Sequence, residues 1–300
     1  MKRILVTGGT VFVSKYVAKY FESKKYEVYV LNRGSKQQVE NVNLICENRN
    51  NLKDCLVKYS FDAIIDVCGY NQKDIKNILD ALGEFKDYIF ISSSAVYPET
   101  NEQPFSENQN IGLNSIWGKY GTDKIEAEEY LLSRVPSAYI LRPPYLYGPM
   151  QNVYREPVVF ECALKNRKFY IPNDGKMKLQ FFHVDDLCKV IEKIIEKHPK
   201  EHIFNVGNNE TVDINTFVEL CYKAVGTPLE KVYITNHKNQ RDYFSFYNYE
   251  YILDVSRQNK LLPEQKNLFD GLKESYEWFK NNQEKVVKKE YIKFIQQNFE

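Results

Sequence analysis

Apolar positions along the first half of the chain alternate between two rhythms. Arg3-Ile4-Leu5-Val6 is a short apolar run closed by Thr7-Gly8-Gly9-Thr10, after which Val13, Val17, Tyr20 and Phe21 recur at helical spacing as far as Lys24-Lys25. Glu27 to Leu31 is a second apolar run, so the opening reads strand, tight turn, helix, strand. Val42 to Cys46, Ala63 to Val67 and Tyr88 to Ile91 are further runs of strand length, and Ile75, Ile78, Leu79 and Leu82 mark a helix between the last two. Trp117 to Lys124 opens a helix that continues through Ile125, Ala127 and Leu131. Near-continuous apolar strands alternating with amphipathic helices predict an α/β fold whose doubly wound parallel sheet is covered on both faces. A ligand then belongs at the carboxyl ends of the strands.

Past Gly148 the rhythm loosens. Pro157 to Asn166 reads as a helix and Gln180 to Val184 as a returning strand. Asp185-Asp186 reads as the cap of a helix bearing Leu187, Val190, Ile191, Ile194 and Ile195, and Ile203 to Val206 as the last strand of the main sheet. No long linker or internal repeat interrupts the 300 residues.

Charge and cysteine content narrow the partners. Lysine plus arginine (41) nearly balances aspartate plus glutamate (40), so no global field draws nucleic acid or an anionic membrane. The six cysteines, at 46, 55, 68, 162, 188 and 221, show no C-x-x-C and no zinc spacing, which predicts reduced thiols, no metal and a cytoplasmic location. A strand begins within the first residues and no apolar run approaches ~18 residues, so neither a signal peptide nor a membrane span is expected.

The opening βαβ unit aims the amides of a helix N-terminus at whatever lies above the sheet, and pyrophosphate is the expected guest. Asn32-Arg33-Gly34 ends the second strand, where a carboxylate would meet the ribose of NAD; an arginine there favours the 2′-phosphate of NADP. Tyr88 to Ile91 runs into Ser92-Ser93-Ser94-Ala95-Val96-Tyr97, a hydroxyl cluster at a strand's carboxyl end. Tyr120 and Lys124 lie one helical turn apart on one face. The same spacing occurs at Tyr20/Lys24 and Tyr276/Lys280, but amphipathic helix surfaces explain those copies, and neither follows a serine cluster.

Five stretches occur together in one order: the Thr7 to Ser14 turn, Ile91 to Tyr97, Tyr120-x-x-x-Lys124, Leu141-Arg142-Pro143-Pro144-Tyr145-Leu146-Tyr147-Gly148-Pro149, and Phe182-His183-Val184-Asp185-Asp186-Leu187. In these the chain resembles the NAD(P)-dependent epimerases and dehydratases of the extended short-chain dehydrogenase/reductase family over essentially its whole length. Of the family's TGxxGxxG glycines only Gly8 remains, with Val11 and Ser14 at the other two places. The turn looks closest to an atypical branch with Gly-Gly-Thr-x-Phe turns, which includes chloroplast RNA-binding relatives. That keeps a second reading open: a non-catalytic NADP-sensing or RNA-binding protein.

The resemblance implies a Rossmann-type cofactor domain over 1–148, with returning segments near 180–207 and 244–256. A smaller, discontinuous substrate-binding lobe would comprise about 149–179, 208–243 and 257–300. It implies Ser93, Tyr120 and Lys124 as catalytic residues. Gly8, Gly9, Thr10, Phe12, Val13, Asn32, Arg33, Asn48, Cys68, Gly69 and Pro143, with Tyr120 and Lys124, would bind the cofactor, NAD(P) with NADP favoured. Ser94 and Arg241 would meet the substrate. A lysine ammonium about 4 Å from the tyrosine would stabilise its phenolate by ~1 to 3 pK units. The positions after Ser93, often acidic in dehydratases, are Ser94 and Ala95, which favours epimerisation or reduction over dehydration. Leu179 stands where nucleotide-sugar enzymes usually carry one phosphate-binding arginine, and Arg241 matches the other. The implied partners are a sugar or nucleotide-sugar substrate and a second copy of the chain, paired through helices near 73–83 and 119–133.

Overall fold

The computed structural model describes residues 1–300. In chain order the first half contains β1 (Arg3–Thr7), α1 (Phe12–Ser23), β2 (Glu27–Asn32), β3 (Asn43–Cys46), β4 (Phe61–Asp66), α2 (Gln72–Ala81), β5 (Phe85–Ile91), α3 (Lys119–Arg134) and β6 (Tyr139–Arg142). The second half contains β7 (Tyr145–Tyr147), α4 (Glu156–Leu164), β8 (Phe169–Pro172), β9 (Lys178–Leu179), β10 (Phe181–His183), α5 (Val184–Lys197), β11 (Ile203–Asn205), β12 (Val212–Asp213), α6 (Ile214–Val225), β13 (Lys231–Ile234), α7 (Ser256–Asn259), α8 (Leu268–Lys280) and α9 (Tyr291–Asn298).

Seven strands form one sheet in the order β11-β6-β5-β4-β1-β2-β3, every pairing parallel. Its inner strands are apolar on both sides because both sides are covered. Ile4 and Val6 of β1, Ala63 and Ile65 of β4, and Ile89 and Ile91 of β5 pack under α1 and α5 with Val17, Phe21, Leu187 and Ile191. Leu5, Ile64, Tyr88 and Phe90, the intervening residues, pack under α2 and α3 with Ile75, Ile78, Ala127 and Leu131. Each such aliphatic side chain, fully buried, contributes roughly 1.5 to 3 kcal/mol. From β1 the chain runs outward through β2 and β3, then crosses back to β4, so the strand order reverses between β1 and β4. A crevice opens there at the strands' carboxyl ends.

A third core, rich in aromatic residues, joins α4, α6, α8 and α9 with β7, β8 and β10 through Phe160, Phe181, Phe217, Phe246 and Phe279. The second half departs from the sequence reading in two places. The run near Gln180 to Val184 forms β10, which pairs with β7 in a separate two-stranded ribbon, so only β11 returns to the main sheet. The cap of α5 is His183, whose Nδ1 accepts from the Asp185 amide at 3.2 Å; Asp185 and Asp186 lie in the first turn instead. The chain turns helical at Val184, so these carboxylates face the positive end of the helix dipole without capping it. No helix is long and apolar enough to cross a membrane.

Candidate functional site

The turn after β1 lies at the reversal of strand order. Gly8 and Gly9 have φ of +93° and +88°, and a Cβ on Gly8 would come within 2.7 Å of Cys68 Sγ and 2.8 Å of Ser14 Oγ. Only glycine fits that place. Ser14, at the position of a missing glycine, is buried and donates to the Val11 carbonyl at 3.0 Å, closing the first turn of α1 on itself. Thr10 and Val13 are half-buried and Phe12 is buried at the head of the helix. The first amides of α1 therefore face the crevice without intrahelical partners, which suits an anion.

Asn32 does not reach outward. Its Nδ2 donates to the Gly8 carbonyl at 2.6 Å and its Oδ1 accepts from the Gly34 amide at 2.9 Å, so it ties the end of β2 to the glycine turn. Arg33 next to it is exposed. Asn48 is also exposed, and its side chain accepts from the Asn50 amide at 3.0 Å to cap a short 3-10 turn. Arg49, its neighbour, turns inward and grips the buried Asp66 with two hydrogen bonds of 2.8 and 2.6 Å. Thr7 and Tyr88 each donate to the same carboxylate at 2.7 Å, and the Thr7 hydroxyl accepts from the Val67 and Cys68 amides at 3.0 Å. Burial works against the Asp66 charge, but Arg49 and these hydroxyls outweigh it and lower its pKa to about 2. This network lies beneath the glycine turn, and sequence reasoning missed it; an Asp closing an otherwise apolar strand was the available signal.

The serine cluster and the Tyr120/Lys124 pair converge from β5 and α3. Gly121 permits the approach, since a Cβ there would meet the Ala95 carbonyl at 2.5 Å. Ser93 caps the 3-10 turn of Ser94 to Val96, accepting from the Ala95 amide at 3.2 Å, and Ser94 is buried with its amide donating to the Pro143 carbonyl at 3.0 Å. Tyr120 is 40% exposed, yet burial of its phenol raises its pKa, with the nearby Ser93 hydroxyl opposing. Lys124 is buried, and Nζ donates to the carbonyls of Gly69 at 2.7 Å and Ile91 at 2.9 Å.

The expected depression of the Tyr120 pKa by the ammonium is therefore not seen. Lys124 is directed to two backbone carbonyls, and burial pushes the phenol up. Lys124 itself is lowered to about 8, by desolvation, against the pull of Asp66 and Glu128. Glu128, one turn further along α3, is buried and accepts from Arg142 at 2.6 and 3.1 Å and from the Ser92 hydroxyl. Its four-residue spacing from Lys124 was readable, since it places Tyr120, Lys124 and Glu128 on one helix face. Arg142 in turn donates to Tyr97 at 2.8 Å, so the floor beneath Ser93 is one connected polar network.

Across from Tyr120 stands an aromatic wall. Trp117 lies 6.2 Å from Tyr120, 5.1 Å from Tyr247 and 5.8 Å from Tyr251, ring centre to ring centre. Arg241, half-buried, stacks its guanidinium 4.5 Å over Tyr247. Leu179 is buried in β9 and supplies nothing to an anion.

The family described as the NAD dependent epimerase/dehydratase family matches this chain over residues 4–207. A chloroplast stem-loop binding protein of 41 kDa from Arabidopsis thaliana is 26% identical over 302 residues, covering 92% of this chain and 78% of that protein. A Methanocaldococcus jannaschii protein provisionally named UDP-glucose 4-epimerase is 27% identical over 315 residues, covering 93% of this chain and 99% of its own length. The solved UDP-glucose 4-epimerase of Thermotoga maritima, with UDP-glucose, shares the fold with a TM-score of 0.75 at 22% identity, covering 94% of this chain and 99% of the other.

Proposed function

The chain belongs to the NAD dependent epimerase/dehydratase family of enzymes, and on that footing we propose that it is an NAD(P)-dependent epimerase or reductase acting at a hydroxyl or keto carbon of a nucleotide sugar. The observation that supports this reading is the close packing of α3, at Gly121, on the turn that follows Ser93, with Tyr120 beside that contact and Lys124 one turn deeper on the same helix. Tyr120 takes or returns the proton of the substrate hydroxyl, and Ser93 donates a hydrogen bond to the same oxygen. Lys124, anchored at Gly69 and Ile91, is the group that would meet the nicotinamide ribose. Bound NAD(P) supplies hydride exchange with the sugar carbon. The Gly8 and Gly9 turn at the head of α1 is where its pyrophosphate would sit, because the first amides of a helix lack intrahelical partners and suit an anion.

Dehydration is disfavoured because Glu128, the carboxylate bonded to the serine segment, is held by Arg142 and stays buried. An exposed Arg33 and the absence of a carboxylate at the end of β2 support NADP. NADP(H) should bind tighter than NAD(H), and Arg33→Ala should shrink that preference by ~1 to 2 kcal/mol, the scale of one charge-assisted hydrogen bond. Equal affinities of the wild type for the two cofactors would remove that preference from the account. The stem-loop binding relative favours an RNA-associated reading, but the near balance of 41 basic and 40 acidic residues provides no overall field for RNA. Chromatography of UDP- and GDP-sugars incubated with protein and cofactor tests the enzyme reading: a new isomer or a reduced sugar is expected, and unchanged sugars across the series would count against it.

A further inference from the structure

Lys124 is enclosed on several sides, and one of its neighbours faces solvent. Its ammonium donates to the carbonyls of Gly69 and Ile91 and lies 4.7 Å from the centre of the Phe90 ring and 5.3 Å from that of Tyr70. Gly69, Phe90 and Ile91 are buried, whereas Tyr70 is 55% exposed. Lys124 is nevertheless only 2% exposed, so the Tyr70 ring stands between the ammonium and water.

The chain fixes this ring in place. Gly69 lets the end of β4 press against β5 and α2, since a Cβ there would come within 3.0 Å of Phe90 and 2.9 Å of Ile75. The Tyr70 amide donates to the Asp74 carboxylate at 2.9 Å, and Asn71 caps α2 by accepting from the Asp74 amide at 3.0 Å. Tyr70 is thereby pinned to the first turn of α2, with its ring rather than its hydroxyl turned to the ammonium. An ammonium carries three donors, and two go to carbonyls; the ring faces of Phe90 and Tyr70 supply the rest of its surroundings. Asp66 and Cys68 at the end of β4 and Glu128 on α3 favour the lysine's charge, Arg49 opposes it, and desolvation outweighs the favourable charges, lowering its pKa to about 8.

We propose that Tyr70 is a positioning residue that acts through Lys124: its ring roofs the ammonium, keeps water from it and holds it at the Gly69 and Ile91 carbonyls. The use of that lysine by a cofactor rests on the NAD(P) reading above, whereas the roof itself does not. Water solvates an ammonium better than a ring face does, so opening the roof lets Lys124 stay charged to higher pH and leave its two carbonyls.

NMR of protein carrying lysine isotopically labelled at Cε tests this, the Lys124 resonance being identified by its loss in Lys124→Met. Its titration midpoint should lie near pH 8 in the wild type. In Tyr70→Ala the midpoint should rise by about one pH unit or more, and Tyr70→Phe, which keeps the ring face, should restore it. An unmoved midpoint in Tyr70→Ala would overturn the proposal, as would a shift in Tyr70→Phe as large as that in Tyr70→Ala. Titration calorimetry with NADP gives the second readout: affinity should fall about tenfold in Tyr70→Ala and recover in Tyr70→Phe. Unchanged affinity in Tyr70→Ala would overturn the positioning role and leave NAD(P) binding standing. A wild type that binds neither NADP nor NAD would overturn the cofactor reading, and the midpoints alone would then decide on the roof.

Discussion

Lys124 carries a buried charge whose consequences can be measured. With a pKa near 8 in the folded protein against 10.5 for the free side chain, the ammonium costs stability in full below pH 8. Between pH 8 and about 10 the folded state sheds its proton first, so stability from this group rises with pH. The stability of the wild type minus that of Lys124→Met should therefore grow across that window, by about 3 kcal/mol at most. Denaturant unfolding of both proteins at pH 7.5 to 10 checks this, and a flat difference would contradict it. At this scale the sequence was a good guide to which residues share a face and a poor one to what they touch. Tyr120 and Lys124 were legible because helix periodicity fixes a shared face. That Lys124 bonds Gly69 and Ile91 was not, because backbone carbonyls leave no trace in residue type. Asn32 was placed among the cofactor residues by its position, and the sequence did not show that its amide bonds Gly8 and Gln38.

The joints between elements depend on pairs far apart in sequence. Arg49 follows β3, Asp66 ends β4 and Asp74 begins α2, and the guanidinium bonds the Asp66 carboxylate and the Asp74 carbonyl together. Arg49→Met would leave a buried carboxylate uncompensated, a loss of roughly 3 to 5 kcal/mol. Because Asp66 titrates at about 2 when folded and at 3.8 when free, its stabilisation is present above pH 4 and is lost as pH falls through about 2. Urea unfolding of Arg49→Met at pH 7 checks the cost, and a change below about 1 kcal/mol would show the pair to be dispensable. Strand and helix positions in the first half were readable because two-sided burial makes the inner strands nearly uniformly apolar. The second half was harder: β10 is as apolar as a sheet strand but pairs with β7, and pairing partners are set by tertiary packing that composition does not encode. The α5 boundary moved because a histidine side chain, not an acid, meets the first amides.

For the molecule as a whole, the sheet and its crevice were legible from alternation alone, whereas the aromatic wall was not. Trp117, Tyr145 and the Tyr247 to Tyr251 stretch come from three separate segments, and in a chain with 23 tyrosines none stands out. We propose a homodimer through α2 and α3, which pack side by side; sedimentation equilibrium should give twice the 35.4 kDa chain mass, and a single-chain mass would exclude it. We propose that the crevice performs acid–base chemistry on a sugar through Tyr120. Tyr120→Phe keeps the ring beside Trp117 but removes the ionisable hydroxyl. The direct measurement is turnover of the sugar nucleotide processed by the wild type, with cofactor affinity measured alongside. Turnover should fall at least ~100-fold in Tyr120→Phe while cofactor affinity barely changes; wild-type turnover by the variant would contradict the account.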